Sequence, residues 1–159
     1  MTVRPYTPAD LDAMLRIWNE VIEEGTAFAE EEAYDPESAA AYFASQSYTG
    51  VAEKDGEILG VYILHPNFSG RLGHICNASY AVQSSARGQR IGEQLVLDCM
   101  RKAKELGFRI LQFNAVVESN ARARRLYERL GFRQIGTIPR GFRMKDGHYE
   151  NICPYYLEL

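Results

Sequence analysis

No apolar run in this sequence is long enough to cross a bilayer, and the opening stretch MTVRPYTPADL lacks the apolar segment of a secretion signal. Cysteine is scarce. Cys76, Cys99 and Cys153 form an odd, scattered set without metal-ligand spacing, which predicts a reduced, cytoplasmic chain with no structural disulfide. His65, His74 and His148 are equally dispersed, so the sequence makes no case for a metal. Neither sign of charge dominates: 18 Lys and Arg against 21 Asp and Glu leave a net charge of -3, giving no reason to expect nucleic acid as the main partner. Internal repeats, low-complexity tracts and linker-like stretches are also missing, so residues 1–159 are expected to form a single domain.

What is present is the composition of an ordinary globular protein, 46% hydrophobic and 25% charged, in a chain long enough to bury a real core. TVRPY reads as a short strand. TPADLDAMLRIWNEVIEEG follows as a helix, with Thr7 as cap, Pro8 at the first position, Asp10 in the first turn and Gly25 as the stop. Leu11, Met14, Leu15, Trp18, Val21 and Ile22 share the face expected to be buried. After the loop GTAFAEEEAY, Asp35 and Pro36 start a second helix. Asp55-Gly56 then joins two strand-like runs into a hairpin.

HICNASYAV alternates as a strand does, with Cys76, Ala78, Tyr80 and Val82 on one face and Ile75, Asn77, Ser79 and Ala81 on the other. A helix is expected from about Gly88 to Leu106, carrying Ile91, Leu95, Cys99 and Met100, with Gly107 as its end. FRILQFNAVV predicts a central strand reached by a crossover helix, and ESNARARRLYERLGF a last helix ending at Gly131. RQIGTI and YENICPYYLEL are expected to supply two closing strands around an Asp146-Gly147 turn. The fold class is therefore α/β in the α+β sense, with one sheet and a strand-helix-strand crossover in the middle.

The stretch ARGQRIG, residues 86–92, lies between a predicted strand and a predicted helix. Glycines in that setting let backbone N–H groups approach a phosphate at the helix N-terminus, and Arg87 and Arg90 add charge. The dinucleotide spacing G-x-G-x-x-G and the Walker Gly-Lys-Ser/Thr are both missing. From these residues alone a phosphate cradle and a solvated, Arg-rich helix start remain equal alternatives.

VQSSARGQRIGEQLV resembles the acetyl-CoA loop of the GCN5-related N-acetyltransferases, Arg/Gln-x-x-Gly-x-Gly/Ala. Arg87 and Gly92 match its ends, while Arg90 replaces the middle glycine. ESNARARRLYERLGF is similar to the same family's second signature through Asn120, Ala123, Leu126, Tyr127, Gly131 and Phe132. The resemblance implies a mostly antiparallel sheet splayed around acetyl-CoA and flanked by about four helices, acetyl-CoA as cosubstrate without a metal, and a homodimer. It places the cosubstrate on Tyr80, Ala81, Val82, Arg87, Gly88, Gln89, Arg90, Ile91, Gly92 and Asn120.

Acetyl transfer to an amine needs a neutral nucleophile, a held thioester, a stabilised oxyanion and a protonated leaving thiolate. Tyr127 matches the family's usual general acid and lies on the same helix face as Asn120; a tyrosine packed in the core is the alternative. The strand glutamate that serves many relatives as base is replaced here by Asn77, which takes no proton. Asn114 is its companion on the next strand, so the pair is expected to hold the acceptor's amine, its carboxylate or a water, or else to satisfy buried backbone groups.

GRLGHICNASYAV with QFNAVVESN also looks like the acetyltransferases acting on proline analogues such as azetidine-2-carboxylate, with Ser79 where a glycine is usual. In that subgroup both asparagines belong to the substrate site. Phe28, Tyr34 and Arg143, with Arg140 beside it, are expected around the acceptor, and His65 and His74 are weaker base candidates. The implied activity is acetyl transfer to a small amine. A protein N-terminus or lysine as acceptor, and a non-catalytic acyl-CoA-binding module, are the alternatives.

Overall fold

A computed structural model describes residues 1–159. The chain begins with strand β1 (Thr2–Pro5), then a single 3-10 turn (Pro8–Asp10) that leads into helix α1 (Leu11–Glu24). Asp10 makes that junction. Its carboxylate accepts the Thr7 N–H at 2.8 Å and takes both terminal nitrogens of Arg4, at 2.8 and 3.0 Å, so one side chain joins β1 to the helix start. At the other end Gly25 takes φ 66, and the Lys145 ammonium donates to the Glu23 carbonyl at 2.7 Å, a cation where the helix dipole favours one.

Helix α2 (Pro36–Ala44) is capped by Asp35, which accepts from the Ser38 N–H at 2.7 Å. Strands β2 (Tyr48–Lys54) and β3 (Glu57–Pro66) form the expected hairpin, with Asp55 and Gly56 both at positive φ. Strand β4 (Ile75–Val82), helix α3 (Ile91–Glu105), strand β5 (Ile110–Val117) and helix α4 (Ala121–Arg129) then follow. The chain closes with β6 (Arg133–Gln134), β7 (Ile138–Arg143) and β8 (Tyr149–Glu158).

One eight-stranded sheet runs β1-β2-β3-β4-β5-β8-β6, with β7 also paired to β8. Only β4 and β5 are parallel, and α3 is the crossover between them. One face carries Cys76, Ala78, Leu111 and Phe113 into a core under α3, with Ile91, Leu95, Val96 and Cys99. The opposite face, with Val51, Val61, Ile63 and Ala81, is covered by Met14, Ile17, Trp18 and Phe43 from α1 and α2. Gly60 sets how closely α3 approaches: a Cβ there would lie 2.9 Å from Leu95 Cδ1 and 3.0 Å from Ile91 Cγ2.

Three expectations are corrected. Three strands close the chain rather than two, because RQIGTI is not one strand: Arg133 and Gln134 pair with Tyr156 and Tyr155, while its last residue, Ile138, starts the separate β7 opposite Ile152. Pro139, Gly141 and the positive φ of Arg140 hid β7, since they interrupt the alternation by which a strand is read. Helix α3 begins at Ile91 rather than near Gly88, because Gly88 and Arg90 both take positive φ. On α1, Ile17 joins the buried face, while Leu11 and Leu15 stay half-buried at its margin.

Candidate active site

The site starts from a fault in the sheet. β4 and β5 share only two register pairs, Ile75 with Ile110 and Cys76 with Leu111, and then part. Beyond that point β4 is paired to β3 alone, up to Gly60 and Val82. β5 follows β8 instead, with an irregularity between Phe113 and Val116. From Asn77 to Val82 the peptide groups aimed at β5 therefore have no strand partner. An extended ligand arm with amide groups fits such an edge, as added strands do elsewhere.

The wider end of the split meets ARGQRIG. Ser84–Ala86 make a 3-10 turn, Gly88 takes φ 86, and Arg90 is the N-cap of α3 at φ 63. The N–H groups of Gly88, Gln89 and Arg90 make no hydrogen bond, and those of the first helical turn have no partner within the helix. A Cβ on Gly88 would meet nothing within 4 Å, and one on Gly92 only Leu126 and Val82 at 3.9 Å. Open space, free N–H groups and a helix dipole suit a pyrophosphate.

The charges here differ from expectation. The arginine in the middle-glycine position occupies the left-handed N-cap rather than the first helical turn, and its side chain is 81% exposed, 3.8 Å from Glu93. Arg87 is bound to Glu24 on α1 at 2.6 Å rather than standing free. Glu20 on α1 accepts the Ser84 N–H at 3.0 Å and its hydroxyl, and these bonds hold the Glu20 carboxyl below the usual range. Two glutamates of α1 thus brace the loop from behind. Lys54 reaches Gln89 at 3.3 Å.

Tyr127 lies across the split on α4, its ring 4.5 Å from that of Phe113 and 5.7 Å from that of Phe132. Burial pushes its phenol above the ordinary value, so it carries its proton at neutral pH. The Tyr80 hydroxyl is buried beside the Cys99 thiol without a hydrogen-bond partner, and burial raises that phenol too. Asn120 caps α4, its carbonyl oxygen accepting the Ala123 N–H at 3.3 Å.

The two asparagines lie on adjoining strands but share no hydrogen bond. Asn77 accepts the N–H of its neighbour Ala78 at 2.8 Å, whereas Asn114 forms a reciprocal amide pair with Asn67, at 3.0 and 2.7 Å. Gln112 adds a donor to the Asn114 carbonyl at 3.0 Å. Sequence reasoning missed Asn67 and Gln112. Asn67 sits in a polar loop with no periodicity, and Gln112 reads as one polar residue of an alternating strand.

Phe28 packs on Trp18 at 4.6 Å and Tyr34 stacks on Tyr42 at 4.9 Å, so both belong to the aromatic cover of α1 and α2. Arg143 is paired with Glu31, which brings the loop after α1 against β7. Arg140 donates its N–H to the Asn151 side chain at 3.0 Å, and His65 is 2.9 Å from the Pro66 carbonyl. The His74 carbonyl accepts from Arg109 and Ile110, and its ring has no hydrogen bond.

A sheet split after β4, a glycine loop opening α3 and a tyrosine on α4 define a class. Residues 12–132 match the Acetyltransferase (GNAT) family, and the chain belongs to it: a GNAT-family N-acetyltransferase domain. A GCN5-related N-acetyltransferase from Kribbella flavida has the same fold, with TM-score 0.92 and 34% identity over 99% of this chain and 97% of that one. The L-methionine sulfoximine/L-methionine sulfone acetyltransferase of Pseudomonas aeruginosa is 30% identical over 146 residues, 87% of this chain and 83% of that protein. N-acetyltransferase aca1 of Schizosaccharomyces pombe is 38% identical over 98 residues, 62% of this chain but only 46% of its own length. No helix is long and apolar enough to cross a membrane.

Proposed function

We propose that residues 1–159 act as one domain that transfers acetyl from acetyl-CoA to the amine of a small amino or imino acid. The observation that carries this reading is the divergence of β4 and β5 after Cys76 and Leu111, aimed at free N–H groups at the start of α3. One relative supports the acceptor class by its name, the methionine sulfoximine/sulfone acetyltransferase, while the likeness to the proline-analogue subgroup rests on Asn77 and Asn114 in the sequence alone.

Acetyl-CoA supplies the activated thioester. The chain's own residues do the rest. The loop N–H groups hold the pyrophosphate, and the unpaired edge of β4 from Asn77 to Val82 binds the pantetheine amides and polarises the acetyl carbonyl. Tyr127 donates its proton towards the departing sulfur. Its raised pKa does not defeat this role, since the same burial raises the pKa of a thiolate beside it. Asn77 orients and does not titrate, so the acceptor amine sheds its proton elsewhere.

An acceptor panel read by CoA release tests the proposal. Release is expected with amino and imino acids above that with polyamines and peptides. Turnover only with peptides would move the acceptor to protein N-termini or lysine, and acetyl-CoA binding without any release would leave a binding module.

A further inference from the structure

Helix α1 lays two acidic side chains along the loop ARGQRIG. Glu20 and Glu24 are four residues apart and so share one face of the helix. Glu20 accepts the Ser84 N–H at 3.0 Å and the Ser84 hydroxyl, and Glu24 holds the Arg87 guanidinium at 2.6 Å. The 3-10 turn Ser84–Ala86 lies between these contacts. Gln83, its N-cap, makes no side-chain cap, so Glu20 satisfies the first N–H of the turn from another element. The lengths match: four residues of α-helix rise about 6 Å, and three of a 3-10 helix about the same.

Little else fixes this backbone. Ala86 and Ile91 are buried in the core under α3, but the four residues between them are exposed. Within those four, only the Arg87 N–H has a backbone partner, the Ser84 carbonyl at 3.3 Å, while the N–H groups of Gly88, Gln89 and Arg90 are free. Gly88 and Arg90 both take positive φ, a conformation that an arginine rarely adopts. Apart from the two glutamates, Lys54 reaches the stretch at Gln89. A loop with so few bonds of its own keeps its shape through its anchors.

Charge and hydrogen bonding act in opposite directions here. Two carboxylates beside an anion site repel a pyrophosphate, so on charge alone the loop would bind better without them. Their hydrogen bonds favour binding, since a cradle held in shape before its ligand arrives binds more tightly. We propose that Glu20 and Glu24 are positioning residues for acetyl-CoA: by holding Ser84 and Arg87 they keep the N–H groups of Gly88, Gln89 and Arg90 set for the pyrophosphate. The assignment rests on the reading of ARGQRIG as the pyrophosphate loop given above. It adds to the cosubstrate site two residues of α1 that act through the loop.

The test compares acetyl-CoA with S-acetylpantetheine, which keeps the thioester and both amides but lacks the pyrophosphate and the nucleotide. Kd is measured by calorimetry for the first and by displacement of acetyl-CoA for the second. Glu20→Ala and Glu24→Ala are expected to raise the Kd of acetyl-CoA about tenfold, as when the competent loop falls to about a tenth of the population. The Kd of S-acetylpantetheine should move by less than about threefold. Glu20→Gln keeps a carbonyl for the Ser84 N–H and should bring acetyl-CoA binding back to within about threefold of wild type. Glu23→Ala removes a charge from the same turn of α1, where only the Glu23 carbonyl is bonded, and should leave both constants within that limit. Tighter acetyl-CoA binding in Glu20→Ala or Glu24→Ala would show that the carboxylates only repel, and equal losses for the two ligands would show a general loss of structure; either overturns the assignment. An unchanged Kd for acetyl-CoA in both variants would also overturn it, where the wild type binds acetyl-CoA more tightly than S-acetylpantetheine. A wild type that binds both ligands equally would overturn the loop reading, and this assignment with it.

Discussion

Arg90 occupies a backbone conformation that L-residues other than Asn and Asp rarely take, at φ 63. The family's loop has glycine at this position, where a missing Cβ removes the penalty. Its side chain adds only a 3.8 Å contact with Glu93 while mostly exposed, which offsets little of that cost. Arg90→Gly is therefore expected to stabilise the chain by up to about 1 kcal/mol in urea unfolding, with the released strain partly cancelled by glycine's unfolded-state entropy. Tyr127 is the proposed general acid. Tyr127→Phe removes the donor and keeps the ring packing against Phe113, so kcat should fall about 10²–10⁴-fold with little change in KM or melting temperature. The sequence located both positions through the two signatures. It did not reveal the left-handed backbone at Arg90, or the capture of Arg87 by Glu24, which follows from where α1 passes the loop.

Elements are joined here by single polar side chains and by close approach. Arg4, first through its hydrogen bonds, holds the Asp10 carboxyl below its ordinary value. A pKa lowered in the folded state gives stability that is present above the unfolded value, near 4, and is lost as pH falls through the folded one. Asp10→Asn should therefore cost about 1–3 kcal/mol at neutral pH, and its deficit against wild type should shrink on acidification below about pH 4. Denaturant unfolding of both proteins across pH checks the sign. Gly60 shows the other kind of join. A Cβ there would press on Leu95 and Ile91 of α3 and come within 3.3 Å of the Ala81 carbonyl, so Gly60→Ala should destabilise by about 1–3 kcal/mol in thermal unfolding. Most elements were legible from periodicity and caps: Asp35-Pro36, Asp55-Gly56 and the apolar stripe of α1 each behave as their chemistry dictates. β7 was not, because Pro139 and Gly141 lie in the irregularity between Ile138 and Phe142 that interrupts its pairing with β8, and that pairing lies beyond local sequence.

At the scale of the molecule the sheet is built to come apart in one place. Antiparallel ladders on both sides, β2 to β3 and β5 to β8, carry the register, while the single parallel junction holds for two residue pairs and then opens. Both apolar faces are covered around that opening, α1 and α2 on one side and α3 on the other, so the fold remains stable with six residues of β4 unpaired on one edge. The crossover rule foretold a parallel pair around α3, but not that the pair ends after Cys76 and Leu111. Direct transfer of acetyl to a bound amine within this opening is the central claim, and following the acetyl group tests it most directly. Isotope-labelled acetyl-CoA is incubated with the protein and an equimolar mixture of amino and imino acids, and the label is traced by mass spectrometry. The expected result is label on the nitrogen of an amino or imino acid, matched one for one by CoA, with none on the protein. Label that stays in acetyl-CoA, or that accumulates on the chain itself, would contradict it.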